Sequence, residues 1–86
     1  MTAYTMSKAA VVALTAALAA EVANDRILVN AVAPSTIDTP ANRKAMPKAD
    51  HSKWPTPREI AETIVFLASP QNALTSGACV PVYGRA

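Results

Sequence analysis

Hydrophobic and polar positions divide the chain into five stretches. From about Ala3 to Ala23 strong helix formers follow one another without glycine or proline. Met6, Ala10, Leu14 and Leu18 fall on one face of that helix and Val11, Val12 and Val22 on others, a pattern that predicts a helix buried on several sides. Asn24 and Asp25 supply the turn that ends it. Residues 26–34 then form a nearly continuous apolar run, the pattern of a parallel strand covered on both faces, which Pro34 stops. Residues 35–55, with prolines at 40, 47 and 55, read as a long loop of the kind compact domains keep as lids or binding segments. A helix over 57–69 is announced by Thr56 as N-cap, Pro57 at the first helical position and Glu59 placed to complete a capping box. Ile60, Ile64 and Leu67 mark its apolar face. A second strand, 78–83, carries Pro81, which removes a ladder donor and predicts a sheet edge. Helix, strand, lid loop, helix and strand in that order predict an α/β fold with parallel pairing and a right-handed crossover.

Composition narrows the function classes. Eighty-six residues make one domain at most, and 51% apolar content excludes a disordered chain. Alanine supplies much of that content, so a core here gains little burial per residue. A net charge of +2 is too mild to imply nucleic acid. Arg43, Lys44, Lys48 and Lys53 have no aromatic ladder beside them and read as a solvated loop, with Trp54 standing alone. Cys79 is the only cysteine, so an intrachain disulfide is impossible and a reducing, cytoplasmic setting is expected. The apolar stretch Ala9–Ala20 is shorter than the roughly 20 residues of a membrane span. His51 reads as a solvated loop side chain and Cys79 as a small apolar strand residue; no metal site is indicated.

The chemistry lies at the start of the first helix. Tyr4 and Lys8, four residues apart, share one face. A nearby ammonium and the positive end of a helix both favour a phenolate, which makes tyrosine a usable proton donor or acceptor for a carbonyl or alcohol oxygen. By itself the pair is a weak signal, because such spacings arise often by chance. The wider pattern carries more. Tyr4-Thr5-Met6-Ser7-Lys8-Ala9-Ala10, then Val29-Asn30-Ala31-Val32-Ala33-Pro34, then Ile37-Asp38-Thr39, and finally Ser76-Gly77 with Val80-Pro81-Val82 resemble the C-terminal portion of the short-chain dehydrogenase/reductase family.

That resemblance implies the last part of a doubly wound, Rossmann-like parallel sheet that binds NAD or NADP. The implied activity is hydride transfer between nicotinamide and a small carbonyl or alcohol substrate. Tyr4 would be the general acid/base, and Lys8 would hold the nicotinamide ribose and assist the tyrosine. Pro34 and Ile37 would line the nicotinamide face, and Thr39 would bring a hydroxyl to the cofactor. Residues beyond the carboxyl ends of parallel strands are also where ligands bind in such sheets. Ser35, Thr36 and Asp38 need no function beyond the loop. Where the family has glycine after the proline, Ser35 stands here, which puts the loop path in question.

The family's glycine-rich pyrophosphate turn, catalytic serine and relay asparagine have no counterpart among these residues; the only glycines are Gly77 and Gly84. Ser7 faces another direction from Lys8 and cannot stand in for that serine. The expectation is therefore an N-terminal half outside these 86 residues, encoded ahead of Met1, and negligible cofactor affinity for the chain alone. An alternative is a non-catalytic piece whose apolar first helix pairs with another subunit, as this helix does in family dimers and tetramers. Neither nucleic acid nor a membrane is an expected partner.

Overall fold

The computed structural model describes residues 1–86. Helix α1 runs Thr2–Glu21 and passes into a 3-10 turn, Ala23–Asp25. Strand β1 is Ala31–Pro34, helix α2 is Pro40–Ala45, and a second 3-10 turn covers His51–Lys53. Helix α3 spans Pro57–Ala68, and strand β2, Cys79–Val82, closes the chain. The two strands pair in parallel with Ala31 opposite Cys79 and Pro34 opposite Val82. The α/β class and the element order are those the sequence implies. The molecule is thin, 48 × 33 × 17 Å, and only six of its 86 residues are buried.

Pro81 fits the ladder because of its parity. Ala31 N–H donates to Ala78 O at 2.9 Å and Ser35 N–H to Val82 O at 3.3 Å. Even-numbered residues of β2 therefore face β1, and Pro81 turns its missing donor to the open side.

Three expectations need correction. The strand expected over 26–34 is paired only over Ala31–Pro34. Arg26 takes a left-handed conformation, φ 58°, that closes the preceding turn, and residues 27–30 lie opposite a turn instead of a strand. Side chains tie that part down: Ser76 Oγ accepts from Val29 N–H at 3.0 Å, and Asn30 donates to Thr75 O at 2.8 Å. The segment 35–55 is not structureless. Thr39 caps α2, accepting from Asn42 N–H, with Pro40 at the first helical position. Asp50 caps the 3-10 turn in the same manner. Finally, α1 is not enclosed: Thr15 and Ala19 are its buried residues, while Met6 is 67% and Leu14 60% exposed. Most of its apolar faces have no neighbour among these residues. At 20 residues α1 is, by length and composition, long and apolar enough to cross a membrane, more than the Ala9–Ala20 stretch indicates.

Helix α3 begins with the capping box that the sequence announces: Thr56 accepts from Glu59 N–H at 3.1 Å, and Glu59 accepts from Thr56 N–H at 2.9 Å. At its other end buried Asn72 donates to Leu67 O and Thr75 O and accepts from Thr75 N–H, shaping the turn into β2.

Candidate functional site

Helix α1 presents Tyr4 and Lys8 one turn apart, and the Lys8 ammonium lies over the Tyr4 ring, 5.4 Å from its centroid. Both side chains border a cleft of about 610 Å³ between α1, the carboxyl end of β1 and the lid. Pro34 and Ile37 border the same cleft, as do Ser35, Thr36, Asn42 and Met46. Val11, Val12 and all four residues of β1, Ala31–Pro34, supply its apolar wall. Four of the five site residues expected from the sequence are thus brought together. Thr39 is outside the lining; its hydroxyl oxygen caps α2 through Asn42 N–H at 3.1 Å.

Ser35 settles the question raised by the residue after Pro34. Arg26 is the one non-glycine residue with a positive φ, so Ser35 needs no glycine-like backbone. Its hydroxyl donates to Tyr83 O at 2.7 Å. Ser7 donates to Tyr4 O at 2.7 Å, which keeps that hydroxyl on its own helix and away from the cleft.

The lid carries its own electrostatics. Asp38 and Arg43 form a two-pronged ion pair, with contacts of 2.6 and 2.9 Å. The hydrogen bond from Arg43 holds the Asp38 carboxyl below its ordinary value, and Asp38 raises Arg43 in return. Asp50 is lowered by hydrogen bonds from Ser52, and Glu59 by those from Thr56. His51 is not a free loop side chain: its Nε2 meets Met46 O at 2.7 Å, and its ring lies 4.6 Å from that of Trp54. Trp54 in turn is buried, at 9% exposure.

Asn42, Met46, Val11 and Val12 also border the cleft, beyond the residues expected there from the sequence. The 3.6-residue period of α1 places Val11 and Val12 near the turn that carries Lys8. The Thr-Pro-x-Asn pattern at 39–42 signals a capped helix that turns Asn42 and Met46 to one side.

A dinucleotide tests the fit of these residues. A hydroxyl, an ammonium and an apolar wall in one cleft suit a nicotinamide and its ribose. The two glycines form no phosphate turn: Gly77 (φ +77°) packs against Ala19, and Gly84 (φ +66°) against Lys53 and Pro55. The residues present therefore fit the nicotinamide end of such a cofactor.

Cleft, parallel strands and lid together form a crevice at the carboxyl end of an α/β sheet, and comparison with known proteins places the chain. The family described as enoyl-(acyl carrier protein) reductase matches residues 1–84. This chain belongs to the short-chain dehydrogenase/reductase family. It is similar to galactitol 2-dehydrogenase of Rhizobium johnstonii, 46% identical over 91 residues, covering 94% of this chain and 35% of that protein. A 3-oxoacyl-(acyl-carrier-protein) reductase of Thermotoga maritima is 36% identical, with 94% of this chain and 36% of that protein covered. Among solved structures, a mutant short-chain dehydrogenase/reductase of Serratia marcescens superposes with a TM-score of 0.81 at 35% identity, over 95% of this chain and 36% of that one. A 3-oxoacyl-(acyl-carrier-protein) reductase of Brucella melitensis with bound NAD gives a TM-score of 0.78 at 32% identity, over 94% of this chain and 32% of that one. The chain therefore spans about a third of the length of the curated relatives it matches.

Proposed function

We propose that residues 1–86 form the C-terminal, proton-transferring part of an NAD(P)-dependent oxidoreductase that interconverts a small carbonyl compound and its alcohol. The observation that carries this reading is the convergence of Tyr4, Lys8, Pro34 and Ile37 on one cleft, in a family whose solved members include chains with bound NAD. The chemistry that NAD or NADP supplies when bound is hydride transfer. Tyr4 hands its hydroxyl proton to the substrate oxygen during reduction and takes it back during oxidation. Lys8, with its charge over the ring, offsets the negative charge that grows on Tyr4 as the proton leaves, and it holds the ribose hydroxyls. Pro34 and Ile37 form the wall against the nicotinamide; Thr39, outside the cleft lining, caps the lid helix with its oxygen and would reach the cofactor only through its O–H. The setting is cytoplasmic, and the assembly is a dimer or tetramer of the longer enzyme.

The test joins these residues to the preceding two thirds of a relative such as the galactitol dehydrogenase. In that enzyme Tyr4→Phe lowers turnover by about 10²–10⁴-fold with cofactor binding nearly unchanged, and Lys8→Ala weakens both. Retention of more than about a tenth of turnover in Tyr4→Phe contradicts the assignment.

A second reading, a non-catalytic piece that acts by pairing with another subunit, is favoured by the exposure of Met6, Leu14 and Leu74. It is separated from the first by activity in the joined enzyme.

A further inference from the structure

The last residues of the chain touch both ends of the lid. At its first residue, Ser35 Oγ donates to Tyr83 O at 2.7 Å, and Ser35 N–H donates to Val82 O at 3.3 Å. At its far end Arg85 N–H donates to Lys53 O at 3.0 Å, and Arg85 Nη2 donates to Ser52 O at 2.8 Å. Gly84 lies between these two anchor points with φ +66°, and a Cβ there would stand 2.8 Å from Lys53 O and 3.0 Å from Pro55 N. Any side chain at Gly84 would thus push the lid's end away. Pro55 is fully buried, and its carbonyl accepts from Asp38 N–H at 2.9 Å. Asn42 Nδ2 donates to Ile37 O at 2.8 Å. The peptide joining Ile37 to Asp38 is therefore held at its oxygen by the lid helix and at its nitrogen by Pro55.

We infer that the tail Tyr83–Arg85 is a positioning strap: it pins both feet of the lid and, through Pro55 and Asp38, fixes where Ile37 stands in the cleft that Tyr4 also borders. This inference rests on the reading of that cleft as the nicotinamide site, and its geometry is independent of it. Gly84 and Arg85 are positioning residues, since neither borders the cleft. The middle of the lid is joined to these fixed ends by side chains: Asn42 to Ile37 O, Arg43 to Asp38, and His51 to Met46 O.

The experiment is hydrogen exchange on the 86-residue chain, without cofactor or substrate, so that failure of the enzymatic reading leaves its outcome untouched. In the unaltered chain the amides of Asp38 and Trp54 are protected. Removal of Arg85 and Ala86 speeds their exchange about tenfold, the worth of one or two net hydrogen bonds, and leaves α1 unchanged. Arg85→Ala, which keeps the backbone contact and replaces one exposed side chain, gives a smaller rise at the same residues. Unprotected Asp38 and Trp54 in the unaltered chain, no change on removal of the tail, or an equal rise throughout α1 would each overturn the strap.

Discussion

Helix α1 and the junction of lid, α3 and C-terminal tail differ in how much of their surroundings these residues supply. The helix is the longest element, yet only Thr15 and Ala19 are buried along it. The junction is built from short pieces, but it buries Trp54, Pro55 and Ile60, half of the six buried residues. Its polar groups are also paired locally through the capping box, the Asp50–Ser52 bond, the Asp38–Arg43 ion pair and the Arg85 contacts. Length and apolar content alone therefore do not make an element self-sufficient. Tyr4 and Lys8 stand on the element with the least support, whereas Ile37 stands beside the one with the most. The catalytic pair of the proposed site depends on what covers α1, and the nicotinamide wall is set by contacts inside the chain.

The largest consequence concerns α1. With Met6, Leu14, Val11 and Val12 facing water, the 86-residue chain is expected to self-associate at micromolar concentration, because exposed apolar patches of this kind find partners. Sedimentation should show species larger than a monomer, and circular dichroism should show helix with a broad, weakly cooperative melt. A monodisperse monomer that melts sharply above about 45 °C, as ordinary domains do, would erase the contrast between the two regions.

Matched truncations sharpen the same contrast. Ile60→Ala should lower the local opening free energy of α3 by about 2 kcal/mol, the low end for buried isoleucine because the surrounding core is small. Leu14→Ala, at a site 60% exposed, should change α1 by less than about 0.5 kcal/mol in the unassociated chain. Hydrogen exchange resolves both. Equal effects at the two sites would mean that α1 is packed as firmly as the junction.

How far the sequence showed this division depends on the kind of signal. Thr56, Pro57 and Glu59 lie within four positions of one another, and caps are local chemistry, so the start of α3 is legible to the residue. The same chemistry stands at Thr39, Pro40 and Asn42, but the prolines and scarce apolar positions of 35–55 look like a loop, which hides α2. The shared face of Tyr4 and Lys8 follows from their spacing alone. The strand over 26–34 misled because apolar residues report a preference for burial and not the presence of a partner strand. Contacts to backbone carbonyls leave the least trace: nothing in Arg85 or Ser35 names Ser52 O or Tyr83 O as acceptor, 33 and 48 residues away. His51 and Trp54 are hidden for a similar reason, since each looks solitary until the 3-10 turn brings their tilted rings together.

A smaller effect isolates the start of α3. Thr56→Ala removes one side of the capping box and should cost about 1 kcal/mol of local stability. The faster exchange should be confined to the first turn of α3, with α1 unaffected. Loss of order across the whole chain would show that the two regions are coupled more tightly than their contacts indicate.

The smallest expected effect is the response of the junction to acid. Asp38, Asp50 and Glu59 all have lowered values in the folded chain, chiefly through hydrogen bonds from Arg43, Ser52 and Thr56. A carboxyl group with a lowered folded value binds fewer protons folded than unfolded, so falling pH favours the unfolded form. The stabilisation is complete above the ordinary carboxylate range and is lost as pH falls through the lowered values. Asp50 and Glu59 are solvent-exposed and Asp38 partly so, so the effect is modest and weakens with salt. Trp54, the only tryptophan, reports it: acrylamide should quench its fluorescence more readily as pH drops below the carboxylate range, and Asp38→Asn should reduce the pH-dependent change. None of these hydrogen bonds involves α1. Its helical signal should not follow the same acid profile, and a common profile for Trp54 and α1 would mean that the junction does not open on its own.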